Sequence, residues 1–513
     1  MSNHPILLLP QLACVTMLVA SCASPTGEPT PPPRHTPSQP VSTSLAPPSA
    51  TAPFAPSPSS TPTPLAQLGA DGPWLALLAG DTLVGLDADA SSVVRLGQHE
   101  FAPWEVDFAV APKGGSVGLK GSRDGLTLVS FPSMDQANIA ELLPPEREYT
   151  EEELSQIYQW MDDTWAASLF LPSLAWSHDG SMLAFISGMN GVSPDIYLYN
   201  TEDGSTTRLT TAPTFAMSPE WSPDDMYILH DAANAVLWGK SGRGHRIASV
   251  WIAPSDLSTP RQVFGSAFAD EKGFEHRLGW ISDSVYVGSS EPEWCPPANL
   301  RAISIEDASA ESLWEGSFFE AVLDPESATM LLVVPPIDYP WTGPECAPSQ
   351  PSGLYIVSAA SRSARRLGDY YPNSGQFHAM QWSPQAQLFF FDSANGLLSV
   401  TPAGDVELVT TGDVGFPEVS PDGRYWALPS RSGGVLSVRS SGGDPRPIYY
   451  GQSGPTTWAP DGSALFFLGE PDASSHGAAL YMARPPDFKP SVVVDGLDLD
   501  PSTEISPFGW VFP

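Results

Sequence analysis

Residues 174–210 carry the reading that decides the fold: LAWSHDGSMLAFIS (174–187), then DIYLYN (195–200), then TTRLT (206–210). A short apolar strand ends at Trp176, and Ser177-His178-Asp179-Gly180 turns the chain into a second apolar strand. In such a turn Asp bonds its own backbone and Gly accepts a positive φ, so strand, tight turn and strand follow directly. Where Pro follows Ser it presets φ for the first central position.

The unit recurs. Clear copies are Trp221-Ser222-Pro223-Asp224-Asp225, Val419-Ser420-Pro421-Asp422-Gly423 and Trp458-Ala459-Pro460-Asp461-Gly462. Weaker ones are Trp382-Ser383-Pro384-Gln385, Trp280-Ile281-Ser282-Asp283, Leu323-Asp324-Pro325-Glu326 and Ala111-Pro112-Lys113-Gly114, with a further one opening at Leu68-Gly69-Ala70-Asp71-Gly72. Anchor spacings of 37 to 65 residues match the period of a four-stranded propeller blade with loop insertions. These residues resemble the WD40-like, TolB-type propeller repeats, whose signature is Trp-Ser-Pro-Asp-Gly followed by an apolar strand. The fold expected is all-β: a single propeller over residues 66–513 with eight or nine four-stranded blades. The first copy lacks the strand before its turn, and Glu504–Val511 has that strand's pattern, so the C-terminus is expected to close the ring against residues 74–97.

Composition agrees. Of 513 residues, 43 are Gly and 56 Pro, which favours many turns and few long helices. Lys plus Arg number 23 against 58 Asp plus Glu, a formal charge of −35 that excludes a generic nucleic-acid binder and a surface drawn to anionic lipid.

Ahead of the repeats, Pro5–Ala20 reads as the hydrophobic region of an export signal, and Val19-Ala20-Ser21-Cys22 resembles the lipobox of bacterial lipoproteins. That resemblance implies a signal peptide over 1–21, lipid on Cys22 and an exported, membrane-anchored, extracytoplasmic protein. Residues 1–4 carry no Lys or Arg, a departure from the usual signal. Residues 22–65, rich in Pro, Ser and Thr, cannot bury enough apolar surface to fold and are expected to form an extended tether.

Long insertions fall at 144–172, 231–248, 265–277, 289–299, 335–353 and 368–378, in the two loop classes expected opposite the Ser-Pro-Asp-Gly turns. The first holds the one expected helix, about 150–167, with a capping box at Thr150 and Glu153. The others are aromatic and polar. Trp238, Arg243, His245, Glu293, Trp294, Asp338, Tyr339 and Trp341 are the candidate ligand-binding residues, because a rigid scaffold that aims such loops at one place makes binding anchors of them. Tyr370 and Tyr371 belong to the same group. Cys295 and Cys346, at equivalent positions on consecutive units, are a candidate disulfide in an oxidising compartment. Their separation, without paired His, is a poor match to a metal site, and no cofactor is expected.

Catalytic motifs are scarce. Gly114-Gly115-Ser116-Val117-Gly118 matches a nucleophile-elbow string, but it falls in a hairpin turn and not between strand and helix. Repeats running to the C-terminus argue against a prolyl-oligopeptidase-like peptidase. The expectation from sequence is therefore a monomeric, non-catalytic binding or scaffold module for an envelope protein, peptide or glycan. The alternative is a carbohydrate-active propeller enzyme using Glu291, Glu293 and Asp338.

Overall fold

The computed structural model describes residues 67–80, 82–96, 106–121, 125–142, 173–190, 194–211, 215–234, 246–265, 274–290, 298–334, 336, 350–373, 379–432, 434–470, 477–499 and 507–513. They form nine antiparallel four-stranded sheets, the blades of one ring. Nine exceeds the usual four to eight and matches the nine repeat anchors.

The ring closes as expected. Phe508–Val511 pairs with Trp74–Ala79, Trp74 opposite Val511 and Leu77 opposite Phe508, so blade 1 takes its inner strand from the C-terminus. Inner strands of blades 2 to 5 are Val106–Val110, Leu174–Trp176, Phe215–Trp221 and Phe274–Ile281. Those of blades 6 to 9 are Glu320–Asp324, Met380–Ser383, Glu418–Val419 and Ser453–Trp458.

A radial gradient of burial explains the sequence pattern. Second strands such as Trp74–Ala79 (WLALLA) and Thr329–Val334 (TMLLVV) are buried along their whole length, because both faces of each blade are covered by its neighbours. They therefore read as continuous apolar runs and not as alternation. Outer strands such as Asp135–Ala140 and Ser363–Gly368 are mostly exposed and polar.

The turn chemistry is repeated almost atom for atom. Ser177 Oγ donates to Asp179 Oδ1 at 2.7 Å and accepts from Met182 N at 2.9 Å. Ser222 with Asp224 and Tyr227, and Ser420 with Asp422 and Tyr425, make the same bonds. Gly180 and Gly423 hold φ of 74° and 71°, the left-handed conformation the turn requires. Asp225 occupies the same place at φ 58° and turns its carboxylate back to the preceding blade, where it accepts from His178 N at 2.9 Å. The Gly114–Gly115 stretch is likewise a turn at positive φ, and Ser116 opens the next strand, so the nucleophile-elbow string is a hairpin.

Adjacent blades are joined at the anchor. Trp176 Nε1 donates to the Ala109 carbonyl (3.1 Å), Trp221 Nε1 to that of Ala175 (2.8 Å) and Trp458 Nε1 to that of Glu418 (2.9 Å). In each case the acceptor is the inner-strand residue preceding the anchor of the blade before. Trp510 Nε1 makes the closing contact with Thr457 Oγ1 at 3.1 Å.

Two anchors break the series: Trp280 Nε1 and Trp382 Nε1 are buried without a hydrogen-bond partner. Truncation to Phe leaves a comparable gap at each site, so the difference between sites isolates the hydrogen bond. Trp176→Phe, Trp221→Phe and Trp458→Phe are expected to cost about 1 kcal/mol more than Trp280→Phe in urea unfolding of the intact protein. Equal losses at all four would remove the hydrogen bond from the account.

Candidate functional site

The seam between blades 4 and 5, where the first staple lapses, holds a concentrated group of buried ionisable side chains. Both inner strands that flank it are irregular. Register shifts between Met217 and Glu220 on one and between Arg277 and Gly279 on the other, and Ser218 sits in the first bulge at φ 51°. Bulges re-aim side chains, and they are common beside binding sites.

Arg277 reaches from blade 5 into blade 4. Its Nε lies 3.7 Å from Glu220 Oε2 and its Nη2 3.8 Å from Asp231 Oδ2, and Nη1 donates to the Leu229 carbonyl at 3.4 Å. Burial raises the pKa of both carboxylates, and the Arg277 charge opposes it in each. Asp231 adds to the rise at Glu220, and the nearby Ser218 hydroxyl acts against it at Asp231. Glu220 keeps 36% of its side-chain surface open to solvent although desolvation dominates its titration. Glu220 thus stands where the buried seam reaches the surface.

Ser218, His230 and Asp231 do not make a nucleophilic triad. Neighbouring strand residues point to opposite faces, so His230, stacked on its cross-strand partner Trp251, faces away from Asp231. Its Nδ1 lies 3.3 Å from the Asp231 carbonyl, Nε2 is buried without a partner, and burial holds the ring neutral with a pKa of about 4.

Two further inner-strand carboxylates stand on blades 6 and 8. Glu320 Oε2 accepts from Ala379 N at 2.8 Å, across the seam where the Trp382 staple is absent, and burial pushes its pKa up to about 8. Burial alone raises Glu418 to about 7. Asp392 pairs with Arg431 between blades 7 and 8. Among the described residues no group of His, Cys, Asp and Glu is arranged to hold a metal ion. Two shallow clefts of about 310 and 260 Å³ meet at Pro485, but charges of both signs line each, and Arg424 there pairs with Asp422.

Most sites read from the sequence fall elsewhere. Cys22, Trp238, Arg243, His245, Glu291, Glu293, Trp294, Cys295, Asp338, Tyr339, Trp341, Cys346 and the expected helix about 150–167 lie outside the described residues. Tyr370 packs against a buried cluster, and Tyr371 Oη lies 3.3 Å from Ser352 Oγ, so these two behave as ordinary packing. The expected insertion at 231–248 needs correction, since Tyr227–Asn234 and Arg246–Pro254 take in both its ends. Phe274–Ile281 likewise absorbs the end of the one at 265–277. Polar Asp231 and Arg277, the end residues of these two expected insertions, interrupt the apolar pattern of their strands. The interruption itself was the available signal for the site.

No family model matches the chain. A 99-residue stretch is 44% identical to the uncharacterized peptidase YuxL of Bacillus subtilis, covering 19% of this chain and 14% of that protein. The chain thus spans about a seventh of the length of the curated relative it matches. Among solved structures, dipeptidyl peptidase 4 of Porphyromonas gingivalis aligns with a TM-score of 0.50 at 11% identity, over 75% of this chain and 59% of that one. A eukaryotic initiation factor aligns with a TM-score of 0.53 at 12% identity, over 86% and 99%. The structural matches show the propeller fold and nothing finer. The curated match overturns the expectation of a non-catalytic scaffold and the argument against a peptidase, because the protein it names is a peptidase.

The raised carboxylates set a pH dependence of stability. Glu320 and Glu418 have folded pKa values above their ordinary 4.5, so their contribution is present at low pH and lost as pH rises from about 4.5 to 8. His230 works the other way, its contribution falling as pH drops from 6.5 towards 4. Melting temperature is expected to decline between pH 6.5 and 8, and Glu320→Gln with Glu418→Gln to flatten that decline. An unchanged slope in the double variant would contradict the assignment.

Proposed function

We propose that this chain is a peptidase-type propeller that binds peptides and hydrolyses them. The observation that carries the reading is the 44% identity over 99 residues with a protein named as a peptidase. Propellers with TM-scores of 0.50 and 0.53 share only 11% and 12% identity with the chain, so the fold by itself does not demand so high a figure. A stretch of 99 residues also exceeds the longest anchor spacing of 65, and therefore extends beyond one repeat. Inner-strand carboxyl groups on three blades, Glu220, Glu320 and Glu418, are the polar groups an entering peptide would meet.

The repeats are read as TolB-type on the strength of the Trp-Ser-Pro-Asp-Gly anchors. Cys22 is read as the lipid attachment point, with residues 22–65 as a tether that holds the ring off a bacterial membrane on its extracytoplasmic side. At about 3.1 Å per residue an extended tether of this length reaches roughly 130 Å.

Peptide hydrolysis is tested by incubating the full-length protein with a mixture of short peptides and following new N-termini by mass spectrometry. Time-dependent products at defined bonds are expected, and a folded protein that leaves every peptide intact would refute the reading. For the anchor, Cys22→Ala is expected to lose a fatty-acid label and leave the membrane fraction. Retention of both would move the attachment elsewhere.

A further inference from the structure

We propose that Ser218, Glu220 and Asp231, at the seam of blades 4 and 5, form a pocket for the cationic side chain of a Lys or Arg in a peptide, with Arg277 as the internal cation it displaces. The inference rests on the peptide-handling reading and names the substrate class of that site.

The first argument is distance. Charge-assisted N–H···O⁻ bonds run at about 2.7–2.9 Å. Arg277 stands 3.7 and 3.8 Å from the two carboxylates, outside hydrogen-bond range of both. Ion pairs elsewhere in the ring close directly: Arg208 on Asp195, where Thr210 Oγ1 also donates at 3.0 Å, and Arg431 on Asp392. A guanidinium that served only to latch the blades would be held in the same way.

A second, independent sign is the orphaned polar surface. Ser218 is 3% exposed, and its hydroxyl faces Asp231, whose titration it lowers, without a hydrogen bond of full geometry to any group. Asp231 Oδ1, on a residue 5% exposed, is also without a partner. Buried groups left unsatisfied are costly, and a site that keeps them is one that something else completes.

Charge selects the occupant. Two carboxyl groups face one guanidinium, and burial holds back the ionisation of both, so a second cation would stabilise their charged forms. The solvent-open face of Glu220 provides the entrance, while the flanking bulges hold both inner strands out of regular register. An ammonium or guanidinium on a flexible stem can enter and donate to both carboxylates and to the Ser218 oxygen. Arg277, released, gives up its long 3.4 Å bond to the Leu229 carbonyl and turns out of the seam.

The test uses the full-length protein and N-acetylated, C-amidated hexapeptides carrying Lys, Arg or norleucine at one position, with calorimetric binding at low salt. Lys and Arg peptides are expected to bind about tenfold or more tightly than the norleucine peptide, the order found for a close charge pair. Asp231→Asn and Glu220→Gln should each remove most of that preference. Arg277→Gln should strengthen it. A norleucine peptide with a free N-terminus separates side chain from terminal amine. If it binds as well as the Lys peptide, the side-chain assignment is overturned. Binding that ignores the Lys-to-norleucine change, in the native protein alone, also overturns the proposal, whatever the variants do. Hydrolysis of peptides without basic preference would refute this pocket and keep the peptidase reading. Basic preference without hydrolysis would keep the pocket and refute that reading.

Discussion

An indole N–H donated to the inner-strand carbonyl of the preceding blade is the contact on which the ring depends. Blades have large apolar faces that would slide on one another if packing alone held them, since hydrophobic burial is non-directional. A hydrogen bond between a fixed rotor and a fixed backbone atom sets the register of one blade against the last wherever it is made. Trp176, Trp221 and Trp458 do this with the same geometry, and Trp510 makes the closing contact on Thr457. At Ser177, Ser222 and Ser420 the turn holds the strand end in place, with the Ser hydroxyl bridging the two strands and the Asp carboxylate capping the turn.

Where the staple lapses, charge takes over. Between blades 4 and 5 the Trp280 N–H is unused and Arg277 spans the seam. Between blades 6 and 7 the Trp382 N–H is unused and Glu320 accepts the Ala379 N–H. These exchanges are not equivalent in energy. A neutral N–H···O bond is cheap to bury, whereas a buried ion must recover its desolvation cost through close partners. Arg277 does not make those close contacts, and for that reason its seam is the better candidate for a binding site.

The fold was legible in the sequence because it is written locally. Each anchor, its turn and the strand after it lie within about a dozen residues, and nine copies reinforce one another. Closure by the C-terminal strand followed from counting: a first unit without its inner strand and a last segment with one to spare. The site was not legible in the same way. Arg277 meets carboxylates 57 and 46 residues earlier in the chain, and nothing short of the blade-on-blade arrangement brings them together. Asp231 and Arg277 stand at the ends of segments whose polar and aromatic composition is that of loops. Function was misread for a related reason. Repeats of this kind serve many activities, so a missing motif says little, and a match to a peptidase over 99 residues outweighs it.

The most direct test of the central claim, that a lapsed staple between blades 4 and 5 opens a cation-binding pocket for peptides, is a crystal structure of the intact protein with a Lys-containing peptide. The account predicts the Lys ammonium between Glu220 and Asp231, bonded to Ser218, with Arg277 turned out of the seam and Trp280 still without an acceptor. A peptide bound elsewhere, with Arg277 closed onto both carboxylates, would contradict it.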